Sequence, residues 1–572
     1  MKYFDILKKN LELSKIVDGE NYKIAIVSNT TVFEIKDVVE FFLRENQINV
    51  KVEIADYNNI VQETFKYSSY DAIIIFWELI SLKEGFHSEQ FIVNDSMISK
   101  ITNKTKNEID LVFKNVSETP VVIFNKFSSL LFDFNPFVES KLHKLSKILN
   151  GYLETVKSKN THLIDTELIS AKIGIDKSKD LRKFYTSKSL YSNEFYISYV
   201  KEILPIFLSI KGKSRKVLVL DCDNTLWGGI LGEDGINGIK INGLSYPGRI
   251  FYEVQQILLS LKNQGVLLAI CSKNNLSDIE DVFKRHPDLI LKSDDFVVKK
   301  VNWKDKATNI LEISKELNVG IESIVFVDDS KFEVGIVKDV HPSVETFLVP
   351  ENLTQYPTEI SKLGSLFYKT SYSKEDSLKT KMYLEEKKRE KKKKSYRLVE
   401  DYLSSLGLEI ELFWNEKSQV SRAAQLSQKT NQFNLTTKRY TEAQIVKMIR
   451  LKSHDVIITS LKDIYGDYGL TGLVIIENLK NHIRKIDSFM LSCRIIGRNI
   501  EFALFNEIVN WLKSMKTKKL DSTFIKTNKN LQVENFYENL GFKLTSQSES
   551  KKKYELKLKD YSFKKLPYIK VK

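Results

Sequence analysis

The chain has 572 residues, 42% of them hydrophobic and 28% charged, with a formal net charge of +14. That length suits roughly three or four ordinary globular domains, and no apolar run reaches the length needed to cross a bilayer. Three cysteines cannot form a disulfide framework in so long a chain, so a reducing cytoplasmic setting is expected; the dispersed basic residues carry no recognition motif, which argues against a nucleic-acid partner.

The first twenty residues are broken by charge and do not read as a signal peptide. Residues 1–210 then alternate strand and helix. YKIAIVSNT, VKVEIADY, DAIIIFWEL, TPVVIFNKF and HLIDTELI read as strands, with helical stretches such as Ile35–Asn46 and Asn107–Asn115 between them. This alternation argues for a parallel sheet covered on both faces. Ser28 stands where a nucleophile could sit at a strand end. No Gly-x-Ser-x-Gly elbow and no late Asp-x-x-His pair accompany it, so the domain is expected to be non-catalytic, with His162 packing beside its strand.

The pattern changes at Val217–Gly229, VLVLDCDNTLWGG. Four apolar residues form a buried strand that ends on Asp221 and Asp223, two positions apart and so leaving on one side. Paired carboxylates repel unless a cation lies between them, and hard-oxygen clusters suit Mg²⁺. Cys222, between them, points the other way, into packing. Three further segments follow. Val266–Ile270 leads to Ser272, whose hydroxyl could hold a phosphate oxygen beside Thr225, and Cys271 precedes it as a core residue. NWKDK supplies Lys306, with Lys304 as its rival. IVFVDDS ends on Asp328 and Asp329, suited to complete a metal shell. The short gaps, filled by a Gly-rich turn (Gly228–Gly243) and a helix (Arg249–Asn263), leave no room for a cap domain, so the mouth should be open to a large or protein-borne substrate.

Residues 366–397 form a charged run with EEKKREKKKKSYR at its centre, expected to be a solvated connecting helix. Beyond it lies another α/β unit. Leu398–Leu406, Ser418–Lys429 and Gly497–Lys513 read as helices. LEIELFW is a strand, DVIITSLKD, LTGLVIIEN and IRKIDSFML form an antiparallel meander, and STFIKTN and YELKLKDY are the last strands. Cys493 closes the third meander strand, before Arg494, Gly497, Arg498 and Asn499. A thiolate there would be favoured by the two arginines and a helix start, which also offers N–H groups to a phosphate.

These motifs resemble three known families. DxDxT after a strand, followed in order by Ser272, Lys306 and Asp328–Asp329, resembles the haloacid dehalogenase (HAD) superfamily. RIIGRN resembles the R/Q-x-x-G-x-G/A loop of GCN5-related N-acetyltransferases (GNAT), departing from it at Asn499. VLVLDCDNTLWGGILGEDG, NWKDKATNI, QLSQKTNQFNLTTKRYT, YGDYGLTG and SCRIIGRNIE together resemble the FkbH-like HAD-IIIC family over nearly the whole chain. The resemblance implies an α/β multidomain chain. Its parts are an SGNH-hydrolase-like domain (1–210), a HAD core without a large cap (211–365), the charged linker (366–397) and a GNAT-like domain (398–572).

The activity it implies is removal of phosphate from a donor such as 1,3-bisphosphoglycerate and loading of the acyl group onto the phosphopantetheine arm of an acyl carrier protein. The alternative is a Mg²⁺-dependent HAD phosphatase of surface-polysaccharide or secondary-metabolite biosynthesis with a partner-binding C-terminal domain. A third reading is a binding module with a silent HAD site. In the first reading Asp221 is the nucleophile, Asp223 the acid and base, and Asp221, Asp223, Asp328 and Asp329 hold Mg²⁺. Thr225, Ser272, Lys306, Arg494, Gly497 and Arg498 bind substrate, and Cys493 or Cys222 carries the acyl group. Thr430–Asn434 and Asp467–Gly469 would line the transferase cleft, or else form a turn and a helix cap. The fourth motif, DDSKFE, stands where many relatives have DDNP.

Overall fold

The computed structural model describes residues 2–572 except 20, 90–91, 133–136, 371–379, 381, 384, 386–395, 397 and 528. The chain divides into two units, Met1–Phe207 with Tyr440–Leu451, and Leu208–Arg439 with Lys452–Lys572. The charged run 385–397 lies outside the described residues apart from Glu385 and Tyr396.

In the first unit the five apolar segments become β1 (Tyr22–Ser28), β2 (Val50–Ile54), β3 (Ala72–Phe76), β4 (Val121–Asn125) and β5 (Thr161–Ile164). They form one parallel sheet in the order β2-β1-β3-β4-β5. The central strand β3, AIIIF, is buried at every position, as expected of a parallel strand with helices on both faces. A helix distant in sequence, Glu442–Leu451, belongs to this unit, where Lys447 (2.9 Å) and Arg450 hold Glu118.

The second unit begins with another parallel sheet: β6 (Val217–Leu220), β7 (Leu267–Ser272), β8 (Phe296–Val301), β9 (Ile324–Asp328) and β10 (Glu345–Leu348). The order is β10-β9-β6-β7-β8, with β6 at the centre. Alternation assigns each β6 side chain to a face. Leu218 and Leu220 join Cys222 in one core cluster, while Val217 and Val219 join Ala269 and Cys271 in the other. Each such aliphatic contributes about 1.5–3 kcal/mol by its burial. The two strands absent from the sequence reading, β8 and β10, are edge strands whose mixed polarity hides the strand pattern. Between β6 and β7 the chain forms helices Leu231–Gly238 and Gly248–Asn263, the first lying inside the stretch expected as a Gly-rich turn.

The remaining strands form a mixed sheet: β11 (Leu408–Trp414), β12 (Phe433–Asn434), β13 (His454–Asp463), β14 (Gly466–Asn478), β15 (Ile483–Leu491), β16 (Lys519–Ile525), β17 (Lys543–Gln547), β18 (Lys551–Lys557) and β19 (Ile569–Val571). β13, β14 and β15 form the antiparallel meander, and β16 runs parallel to β15 after the helix Ile500–Ser514. That helix starts later than the expected Gly497. Gly497 (φ 84°) and Asn499 (φ 61°) adopt the left-handed conformation, so the backbone cannot close a helical turn until Ile500.

Candidate active site

The carboxyl ends of three neighbouring strands bring one set of residues together. Asp221 follows β6, Ser272 closes β7, and Asp328 closes β9 with Asp329 next to it. Lys306 arrives from β8 as the first residue of helix Lys306–Glu316, which Asp305 caps by accepting from the Thr308 N–H. Its buried ammonium lies 2.9 Å from Asp221 Oδ1 and 2.5 Å from Asp328 Oδ2. Lys304 turns outward to Glu312, 3.1 Å away, so the helix start selects between the two lysines.

Asp221, Asp328 and Asp329 present oxygens within 4.8 Å of one another. Burial pushes the Asp221 carboxyl up against the pull of Lys306, and burial with the neighbouring Asp221 charge pushes Asp328 up to about 7. Burial alone would discharge Lys306, but the two carboxylates more than offset it and hold the ammonium charged. Although it is ion-paired to Lys306, Asp221 Oδ1 is buried without a well-directed hydrogen bond. Three crowded carboxylates under one cation, with an orphaned oxygen among them, fit a hard divalent ion such as Mg²⁺.

Asp223 does not join that set. Its Oδ1 accepts from the Trp227 indole (3.0 Å) and the Leu231 N–H (3.1 Å), and its Oδ2 accepts from Asn274 (3.0 Å). The chain turns beyond β6, with Asn224 at φ 51°, and three donors in this loop region hold the second carboxylate. Among the described residues, the carboxylates close enough to share an ion here are Asp221, Asp328 and Asp329. Thr225 is fully buried, and its hydroxyl has no partner among the described residues. Asn274 also reaches Ser272 Oγ at 3.2 Å, linking the second and fourth of these groups. In DDSKFE, Ser330 caps helix Lys331–Val340 and donates its N–H to Asp328 Oδ1, while Glu333 pairs with Lys273 at 2.5 Å. The departure from DDNP thus builds a cap and an ion pair beside the cluster.

Cys493 lies elsewhere in the second unit. β15 ends at Leu491, as the string IRKIDSFML has it, so Cys493 does not close the strand but opens a short 3-10 turn to Ile495. The thiol lines a cavity of about 470 Å³ with Lys216, Gly265, Val266, Gly320 and Thr430. Lys216, Gly265, Val266 and Gly320 precede β6, β7 and β9, so the cavity adjoins the ends of those strands opposite to Asp221. Five extended residues separate Lys216 from Asp221, about 16 Å through a packed core.

Arg494 reaches Ser492 Oγ (3.3 Å) and Met382 Sδ (2.7 Å) beside the same cavity. Arg498 does not reach it: its buried guanidinium lies against the Tyr468 ring, 3.6 Å from Asp463 Oδ2, and donates to the Arg494 carbonyl. A cation drawn inward by a buried carboxylate and an aromatic face cannot also meet a phosphate outside. A side chain at Gly497 would meet no neighbour within 4 Å. Thr430, Asn431 and Gln432 line the cavity, whereas Asn434 accepts at its side-chain Oδ1 from the N–H groups of Thr436 and Thr437, as in a turn. Asp467 caps the Gly469 N–H and pairs with Lys462.

In the first unit, Ser28 is buried and tied into its own turn, donating to the Thr30 carbonyl and accepting from the Thr30 N–H. His162 sits in β5, and burial pushes its pKa down to about 4, which keeps it neutral as a packing residue. Asn274 and Trp227 escaped the sequence reading although both lie within its motif strings. Lys216 carried no signal there, because only the fold sets it beside Cys493.

No family model and no curated protein matches the chain. Among solved structures it is similar to the N-terminal part of the Bacteroides fragilis protein BF1531, containing a phosphatase domain complexed with Mg. Identity is 26%, covering 65% of this chain and 100% of that one, with a TM-score of 0.57. A putative GNAT-family acetyltransferase from Desulfovibrio desulfuricans matches at 13% identity over 26% of this chain and 99% of its own, with a TM-score of 0.22. Mutant forms of the Vibrio cholerae spermidine/spermine N-acetyltransferase SpeG match at 15% over 27% and 95%, also with a TM-score of 0.22. The fold is α/β and multidomain, with a HAD-like sheet carrying the aspartate cluster. No described helix is long and apolar enough to cross a membrane.

Proposed function

We propose that the Asp221 centre is a Mg²⁺-dependent phosphoryl-transfer site that removes phosphate from a phosphorylated acyl donor such as 1,3-bisphosphoglycerate. The phosphate removed there is the donor's monoester. The Cys493 sulfur attacks the acyl carbon of the remaining acyl phosphate and expels inorganic phosphate. The thiol of an acyl carrier protein's phosphopantetheine arm then attacks that thioester and releases Cys493 as thiolate. One observation carries the reading: Asp221, Asp328, Asp329 and Lys306 converge where the strands β6 and β9 end. The Mg-bound phosphatase domain of the Bacteroides protein supports it.

Asp221, Asp328 and Asp329 would hold the ion, which when bound supplies positive charge opposite the phosphoryl oxygens. Asp221 attacks phosphorus, forming an aspartyl-phosphate as the bond to the leaving oxygen breaks. Asp223, kept in place by Trp227, Leu231 and Asn274, gives its proton to that oxygen and then takes one from the water that hydrolyses the intermediate. Lys306 and Ser272 orient the nucleophile.

The second half of the reading is supported by Cys493, a half-buried thiol beside a cavity. Cys222 and Cys271 are fully buried in the two core clusters, where no acyl group fits. Phosphate release from acyl phosphates and phosphate monoesters, measured with Mg²⁺ and with EDTA, tests the first half. Release unaffected by EDTA or by Asp221→Asn would end it.

A further inference from the structure

Lys216 is the residue immediately before the buried run of β6, and its side chain turns into the cavity that Cys493 lines. Its Nζ makes one long hydrogen bond among the described residues, 3.4 Å to the Lys429 carbonyl oxygen. Glu322, the one carboxylate lining the cavity among those residues, is ion-paired with Lys529. Arg215, also on the wall, bonds the carbonyls of Glu322 and Ser343 and faces Glu345. Arg494 is occupied by Ser492 and Met382. Lys369, Tyr383, Arg422 and Lys429 complete the titratable and charged lining, and Arg439 lies close behind. Burial works to discharge Lys216, and a charge on Cys493 is the strongest influence opposing it. Lys216 and Cys493 thus line one cavity walled by protein, where an opposite charge counts for more than in bulk water.

We propose that Lys216 is a positioning residue for Cys493: from the leading end of the strand whose far end carries Asp221, its ammonium stabilises the negative charge the sulfur must bear to act as a nucleophile. This rests on the reading of Cys493 as the thiol that takes the acyl group. It also gives β6 a role at both ends, phosphoryl chemistry beyond Leu220 and thiol chemistry before Val217.

Site-resolved alkylation by iodoacetamide, followed by mass spectrometry of the full chain across pH, tests the idea without a substrate. Lys216→Met should slow labelling of Cys493 at pH 7.5 by about tenfold, because an opposite charge nearby favours an ionised group. Lys216→Arg should restore most of the rate. Cys222 and Cys271 are fully buried, so their silence reports that each variant is folded. If Lys216→Met labels them too, Lys216→Gln is used in its place. A Cys493 profile in a folded Lys216→Met or Lys216→Gln protein that superimposes on the wild type overturns the proposal. Full carrier loading by Cys493→Ala, with the Lys216 dependence intact, would instead overturn only the reading on which it rests.

Discussion

Replacing Lys306 by Met leaves its volume roughly unchanged and removes the one cation between Asp221 and Asp328. In the wild type that ammonium is 2.9 Å from one carboxylate and 2.5 Å from the other, with both carboxylates almost wholly buried. Removing one partner of a buried ionic cluster costs about 3–5 kcal/mol, since the remaining charges are left uncompensated. In EDTA, the amides of β6 and β9 should therefore exchange hydrogen about 10²–10⁴-fold faster where exchange reports local opening. Mg²⁺ should recover part of this protection, because a divalent ion among the three carboxylates supplies the charge that was lost. Hydrogen-exchange mass spectrometry of peptides covering Val217–Gly229 and Ile324–Asp328 reads both effects. Equal protection of variant and wild type in EDTA, or no response of the variant to Mg²⁺, would refute the electrostatic account of the cluster.

Asp223→Asn should lower phosphate release by about 10²–10⁴-fold while leaving Mg²⁺ binding measured by calorimetry nearly unchanged, since its side chain lies outside the metal set. Trp227→Phe, which deletes one donor to Asp223, should cost a smaller factor, about tenfold in kcat, with far-UV circular dichroism unaltered. Asp463→Ala leaves the buried Arg498 cation without its carboxylate and should destabilise the loop after Cys493 by about 3 kcal/mol, read as faster exchange in residues 493–499. Burial pushes Glu78 up to about 7 from 4.5, so it binds its proton more tightly when folded. Its contribution is full below pH 4.5 and lost as pH rises to about 7, at most about 3 kcal/mol. Glu78→Gln should flatten this decline in the exchange of β3 peptides, and an unchanged slope would count against it.

The sequence was most informative where a period of two could be read. VLVL followed by Asp-Cys-Asp determined which side chains enter the core, and Cys222 lies in packing as that alternation requires. The apolar segments of the first unit became parallel strands for the same reason. Alternation names a face and not a neighbour, so nothing in the sequence paired β6 with both β7 and β9 or set Lys216 beside Cys493. It also follows the strand only as far as the strand lasts. β6 ends at Leu220, before Asp223, and the loop donors then decide where that carboxylate points. Arg498 failed differently: two arginines around a glycine look like a phosphate grip, but Asp463 and Tyr468, thirty or more positions away in the chain, draw one of them inward. The helix Glu442–Leu451 belongs to the first unit through contacts that no local pattern encodes.

The central claim is that Asp221 takes the phosphoryl group. Its most direct test is to incubate the full chain with Mg²⁺ and a phosphorylated acyl donor, quench in acid, and locate phosphoaspartate by mass spectrometry. The account predicts phosphate on the peptide containing Asp221, absent with EDTA and accumulating when Asp223→Asn slows its hydrolysis. Phosphate found on another residue, or phosphate release continuing at the wild-type rate in Asp221→Asn, would contradict it.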